Sequence, residues 1–483
     1  MKTTLFLLIF SFSGTAMLAQ SETATCDCSQ NLNQTIEKVE TNYAGYPAKL
    51  KAEGKMKYRQ LVDSLQKMSE GISDPMPCFY IITRFVNFFE DTHLGFNFVG
   101  SEAVDTTRIK ISADQIKEKL KNTPPSFIEG VWEKADSSLT IAIVPDTSNL
   151  GHYHGIVLQS NRPDISQELV YFRLQPSTFG YKVNYYNRFY SGASIGKQRD
   201  NLLQIGTSEL WLRTFPYNLT EKEYQAVQEW KKYDKGLRFN QITSDFAYLK
   251  IPTFTRTDSQ IEELVTNNDS LIRRTPNLII DLRGNDGGQN GWIHFLPYLY
   301  TQPIFQGYSY YRMSEDNKPE VLGLLDMLAN QPLPEDIKAY FNEDDIQVKK
   351  REFADFKHFE GKFFPMAGAT FRFDSVLTYP EKVAVIVDEQ GGSSTEFFMN
   401  LCQQSDKTTT FGRNTFGMMD YQGASSPTPL PYSNYYLYIP ISKSDWTDTD
   451  PKNETGFEPE VIIPTSVPAD KWVDFVTRSL ELP

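Results

Sequence analysis

The chain is poor in everything that marks a nucleic-acid binder, a membrane protein or a metal site. It has 48 Lys and Arg against 61 Asp and Glu, a formal net charge of −13 over 483 residues, and no dense Lys/Arg block. A surface of that sign repels phosphate backbones and anionic headgroups, which argues against nucleic acid or an anionic membrane as partner. Beyond residue 20, no apolar run approaches the roughly 18 residues that a membrane-spanning helix needs. Cysteine is scarce, with four in all (Cys26, Cys28, Cys78, Cys402). Cys26-Asp27-Cys28 has no matching Cys/His cluster downstream, so it makes a weak metal site. Internal repeats and long low-complexity segments are also missing.

What is present starts with a leader. Met1 to Ala19 carries one Lys, then LFLLIFSFSG, then small residues. That is the pattern of a secretory signal peptide, 1–19, and it is too short to span a bilayer. Cleavage after Ala19 would yield a soluble protein exported to the periplasm or the medium. Export makes the cysteines disulfide candidates. Cys26 and Cys28 are too close to bridge each other comfortably, so one of them is expected to pair with Cys78. The length predicts two or three domains, and 40% hydrophobic with 13% aromatic residues is enough to fill their cores.

Residues 20–124 read as helical. Pro77 precedes CFYIITRFVNFFE, where Ile81, Ile82, Phe85, Phe88 and Phe89 fall near helical spacing. The pattern stops at Asp91-Thr92-His93-Leu94-Gly95, which holds His93 at the end of a buried helix. Residues 125–225 change character. LTIAIV, YHGIVL, ELVYFRL, GYKVNYY and SELWLRTF predict an antiparallel β-module, a small barrel or an open sheet. Gly130-Val131-Trp132 is faintly lipocalin-like, and His152 and His154 would share a strand face without a third metal ligand nearby. Residues 226–483 alternate strand and helix, which predicts an α/β domain with a mostly parallel sheet and crossover helices.

Two turns in this last region carry chemistry. VAVIV reads as a strand buried on both faces that ends in Gly391-Gly392, and a helix starts at the residues beyond. Ser393 therefore sits at a strand-to-helix corner, its hydroxyl above the sheet and the helix N–H groups facing whatever it attacks. Ser393 with Glu396 also spells a capping box, so a plain helix cap is the competing reading. NLIIDLRGNDGG is a second strand ending in a Gly-rich turn, without the GK[ST] of a phosphate loop. Beside Ser393, its backbone could supply one half of an oxyanion hole.

In order and spacing, YLKIPTF, NLIIDLRGNDGG, VAVIVDEQGGSSTE, TTTFGRNTFG and GFEPEVIIP resemble the catalytic domain of the tail-specific (C-terminal processing) serine peptidases. That superfamily includes the tricorn core and the interphotoreceptor retinoid-binding protein. The likeness covers about residues 238–465 and reaches the N-terminal helices through EDTHLGF, which is similar to the D-x-H element of the tricorn-type branch. It implies Ser393 as nucleophile, three residues before the Glu of S-x-x-E, with Ser394 and Gly287 or Gly288 as oxyanion donors.

The processing branch carries a catalytic Lys in T-F-G-K, where this chain reads Thr415-Phe416-Gly417-Met418. A thioether cannot accept the proton. The tricorn-like branch uses a His base, oriented through a neighbouring hydroxyl and a late Glu. That implies His93 with Thr92 and Glu454, and Glu458 as a substitute for Glu454. Residues 125–225 lack the Gly-Leu-Gly-Phe-like carboxylate loop of a PDZ domain. The resemblance thus implies an exported serine peptidase acting on protein or peptide substrates, with no metal or organic cofactor. An inactive peptide- or hydrophobic-ligand-binding protein on the same scaffold is the alternative, kept open by the missing Lys.

Overall fold

A computed structural model describes residues 25–481 apart from 51, 100–106, 125, 148–150, 164, 178–179, 186–192, 207–208, 233–235, 334–340, 423–426 and 454. The signal peptide expected over 1–19 and the candidate Glu454 lie outside the described residues. The chain divides into two compact units, one formed by Met1–Phe96 with Arg238–Pro483 and the other by Asn97–Leu237.

The first unit opens with helices. In α1 (Cys28–Asn42) the Asp27 side chain caps the N-terminus by accepting from Gln30 N, and Leu32, Ile36 and Val39 line the buried stripe. α2 (Pro75–Asn87) starts two residues before Pro77. Asp74 accepts from Met76 N and Pro75 takes the first helical position, a stronger start signal than Pro77. Its buried face carries Ile81, Ile82, Phe85 and Val86. A Cys28–Cys78 disulfide joins the two helices, while Cys26 and Cys402 are buried and free.

Six strands of the same unit form one sheet: β1 (Arg238–Thr243), β2 (Phe246–Lys250), β3 (Asn277–Asp281), β4 (Lys382–Val387), β5 (Thr408–Gly412) and β6 (Val461–Ile462), in that spatial order. β1 pairs antiparallel with β2, and each later pair is parallel. Leu278, Ile279 and Ile280 of β3 and Val383 to Val387 of β4 are fully buried. Continuous β-branched runs are what a sheet covered on both faces requires. The Asp258–Ile272 helix links β2 to β3, and α3 (Ser394–Cys402) links β4 to β5. Between β3 and β4 an elaborated section adds helices Asn317–Asn330 and Glu343–Phe356 and strands of a four-stranded antiparallel sheet.

In the second unit, eight strands from Gly130–Lys134 to Glu209–Phe215 close into a barrel. Each pairs antiparallel with the next, and the last returns to the first through Trp132↔Arg213. Eight strands enclose a space that side chains can just fill. Here Trp132, Ile141, Phe172 and Trp211 do so, with Phe172 edge-on to Trp211 at 5.8 Å. His154 is buried with Nε2 3.2 Å from Asp146 Oδ2. Among the described residues no His/Cys/Asp/Glu group could hold a metal ion, and no helix is long and apolar enough to cross a membrane. The whole is a mixed α/β protein with N-terminal helices and several antiparallel sheets.

Candidate active site

Beyond β4 the chain makes a tight turn built on Asp388. Its Oδ1 accepts from Gly284 N (3.0 Å) and Gln390 N (3.1 Å), and its carbonyl accepts from Gly391 N (2.8 Å). Ser393 follows at φ 51°, ψ −120°, and α3 begins with the next residue. An L-residue held there stores about 1–3 kcal/mol, a cost met where surrounding structure fixes a functional corner. The Ser393 side chain makes no cap bond to α3 and is half-buried. Its neighbours are committed elsewhere. Ser394 Oγ donates to Gly288 O (2.7 Å) and Thr395 Oγ1 donates to Asn285 O (2.9 Å), so both hydroxyls tie α3 to the Gly-rich turn.

That turn lies directly against the serine. A Cβ on Gly287 (φ +99°) would sit 2.6 Å from both Gly392 O and Ser393 Cβ, and 2.9 Å from Ser394 N. Only glycine permits this approach. The Gly287 N–H already donates to Asn285 Oδ1 (3.0 Å). Of the three oxyanion candidates, Gly288 and Ser394 are thus the ones whose N–H groups meet no described acceptor.

Under the turn, the Asp281 carboxylate at the end of β3 is fully buried. It takes Tyr248 Oη (2.8 Å), Lys250 Nζ (3.1 Å) and Arg283 Nε (2.9 Å). Burial alone would raise its pKa, but Arg283 and Lys250 hold it well below the usual carboxylate range. A paired and hydrogen-bonded charge of this kind fixes geometry more than it adds stability.

Glu396, in the first turn of α3, is completely buried. Its Oε1 accepts from Thr415 Oγ1 (2.6 Å) and Gly417 N (2.6 Å), and Oε2 from Met418 N (2.9 Å). The side chain therefore anchors the Thr415–Met418 turn. Burial pushes its pKa up to about 7 against the pull of those donors. Met418 occupies the place of the absent Lys, with Sδ 2.8 Å from where a Cβ on Gly392 would lie.

His93 is half-buried in the turn after α2. Its Nδ1 lies 2.9 Å from Tyr421 O. A carbonyl oxygen only accepts, so Nδ1 carries the proton of this bond and the neutral ring presents the Nε2 lone pair. No hydrogen bond joins the ring to Ser393 Oγ; pairs of this kind often tighten only with substrate in place. The Thr92 hydroxyl is buried without a partner among the described residues, and Glu458 is exposed. Lys452 and Asn453, just before Glu454 in sequence, are held on the buried Asp420. Lys452 N (2.8 Å) and Asn453 N (2.9 Å) donate to its carboxylate, and Asp420 N donates to Asn453 Oδ1 (2.9 Å).

Sequence reasoning missed Tyr421, Asp420, Asp91 and Tyr43. Only Asp91 had a signal, as the first residue of the D-x-H element.

Residues 245–463 match the model of Peptidase family S41. No curated protein matches the chain. Among solved structures, mature CPAF superposes at a TM-score of 0.54 with 13% identity, over 94% of this chain and 96% of that one. CPAF complexed with lactacystin gives 0.53 at 13% identity, over 94% and 98%. The photosystem II D1 C-terminal processing protease is more distant, at 0.39 and 11% identity over 92% and 95%. At such identities the likeness is one of fold.

Proposed function

We propose, from the match of residues 245–463 to the model of peptidase family S41, that the chain is a serine peptidase that cuts peptide bonds with Ser393 as nucleophile and His93 as base. Ser393 Oγ attacks the scissile carbonyl carbon while His93 Nε2 takes the hydroxyl proton. The tetrahedral oxyanion is met by Ser394 N–H and Gly288 N–H. Collapse breaks the C–N bond, and Nε2 passes its proton to the leaving amine. Water, activated by the same ring, then hydrolyses the acyl-enzyme. Tyr421 O holds the ring through Nδ1, and Thr92 with Glu454, or Glu458 in its place, are the further candidates for orienting it. No cofactor enters any step.

Substrates are proteins or peptides, and the site of action is an exported compartment. The leader pattern of residues 1–19 supports export, as does a disulfide, which persists in oxidising surroundings. The observation that carries the reading is the pair of serines. Ser393 is held at positive φ with a hydroxyl that caps nothing, while the hydroxyl of Ser394 is bound to Gly288 O.

A fluorophosphonate probe tests it. Wild type and Ser394→Ala should label, and Ser393→Ala should not. Labelling mapped to Ser394 would overturn the assignment, and an unlabelled wild-type protein would favour the inactive binding protein.

A further inference from the structure

His93 stands at the end of a set of polar contacts that the acyl-transfer steps do not use. α1 ends at Asn42, and Tyr43 follows as its C-cap, donating its N–H to Val39 O (3.1 Å). The Tyr43 side chain is fully buried, and its hydroxyl donates to Asp91 Oδ2 (2.7 Å). Asp91 is itself only 7% exposed, and its other oxygen accepts from the backbone N–H of His93 (2.9 Å). One carboxylate thus joins the turn carrying His93 to a helix 48 residues earlier in the chain. Burial, and then the neighbouring Asp91, hold the Tyr43 phenol well above its ordinary pKa, so it stays a neutral donor.

The Tyr43 ring extends this control to the imidazole. It meets Tyr421 edge-on at a centroid distance of 5.4 Å, and the carbonyl of Tyr421 is what His93 Nδ1 binds. Its other edge-on partner is Phe89 at 5.4 Å, just beyond the end of α2. Tyr43 is itself fixed. Its carbonyl accepts from Arg312 Nη1, and the next residue, Ala44, donates N–H to Pro440 O (2.9 Å).

We propose that Tyr43 and Asp91 are positioning residues for His93: Asp91 sets the backbone of the turn and Tyr43 holds both Asp91 and the strand segment that orients the ring. The proposal rests on His93 being the base. A role confined to holding the helix end would move stability alone, and a positioning role moves the chemical step at unchanged probe affinity.

The test is the inactivation kinetics of the full chain with a fluorophosphonate, separated into KI and the limiting rate kinact, alongside thermal melts. Losing one bond that sets a reacting group should lower kinact about 10-fold in Tyr43→Phe, with KI constant within about 2-fold. Asp91→Ala should lose more. Asp91→Asn keeps an acceptor for His93 N–H and should recover most of the rate. Unchanged kinact in a folded Tyr43→Phe overturns the proposal, as does a loss shared equally by Asp91→Ala and Asp91→Asn. If Asp91→Ala does not fold, Tyr43→Phe and Asp91→Asn decide. His93→Ala run in parallel separates the two claims. A fully reactive His93→Ala ends the base assignment, whereas an inert His93→Ala with normal Tyr43→Phe and Asp91→Ala ends the positioning role alone.

Discussion

At the scale of single residues, Glu396 shows how burial and hydrogen bonding compete for one proton. Four donors, Thr415 Oγ1 and the N–H groups of Gly417, Met418 and Ser393, favour the carboxylate, and complete burial disfavours it; burial wins and lifts the pKa from 4.5 to about 7. The folded protein thus holds this proton more tightly than the unfolded chain does. The resulting stabilisation is complete below about 4.5 and is lost as pH rises through about 7. Between pH 5 and pH 8 the wild-type melting temperature should fall more steeply than that of Glu396→Gln, which has no proton to lose. Asp258, pushed up to about 6 by burial, adds a slope of the same sign but adds it to both proteins. Parallel slopes would mean that the Thr415, Gly417, Met418 and Ser393 donors offset the cost of burial. The role of Glu396 also explains why S-x-x-E reads like a capping box. The Glu reaches back to the Ser393 N–H, as in a capping box, and also across to pin the turn that holds Met418.

At the scale of elements, the two turns at the C-terminal ends of β3 and β4 act as one object. Gly287 packs on Ser393 Cβ, and Ser394, Thr395 and Asp388 bond across to the 284–288 turn. Gly287→Ala must push the corner away from its present place, and a displacement near 1 Å at a reacting atom costs about 10²-fold in rate. Fluorophosphonate labelling should fall by that order. Gly71→Ala is the control, since Gly71 also has positive φ (71°) but open space around its Cβ position. That change should cost about 1 kcal/mol of stability and leave labelling intact. Equal labelling in both variants would show that the corner tolerates the added methyl.

These elements were legible in the sequence to the extent that local pattern determines them. VAVIV and NLIID announce buried strands because a covered parallel sheet needs unbroken apolar runs, and the glycines after them announce the turns. The partner of His93 Nδ1 was not legible. Tyr421 acts through its backbone carbonyl, which every residue possesses, across 328 positions of chain. Tyr43 was hidden for the same reason, since its bond to Asp91 exists only once α1 and α2 have packed. Closure of the Gly130–Phe215 strands was equally open, because alternation along each strand is the same in a barrel and in an open sheet. The pairing of the first strand with the last decides it.

At the scale of the whole molecule, the two units differ in how they are held. The Asn97–Leu237 unit contains no cysteine and is closed by its own hydrogen-bonded barrel, without a free sheet edge among those eight strands. The other unit is discontinuous in sequence, and its N-terminal helices must find Arg312, Tyr421, Tyr432 and Pro440 across a long stretch of chain. There the Cys28–Cys78 bond, closing a loop of 50 residues, restricts the unfolded state. By chain-entropy reasoning such a crosslink contributes about 4 kcal/mol, a figure that native strain or residual structure reduces in practice. Reduction, or Cys28→Ser with Cys78→Ser, should therefore lower one thermal transition by several degrees and leave a second in place. A chain of two units has no obligation to melt in a single step. The transition that moves should be the one tracked by loss of fluorophosphonate reactivity, because α1 carries Tyr43 and α2 leads into the Asp91–His93 turn. If both transitions shift together, the barrel draws its stability from the other unit. If neither shifts, the helices are held by the Tyr43, Phe85 and Phe89 packing alone and the crosslink is thermodynamically idle.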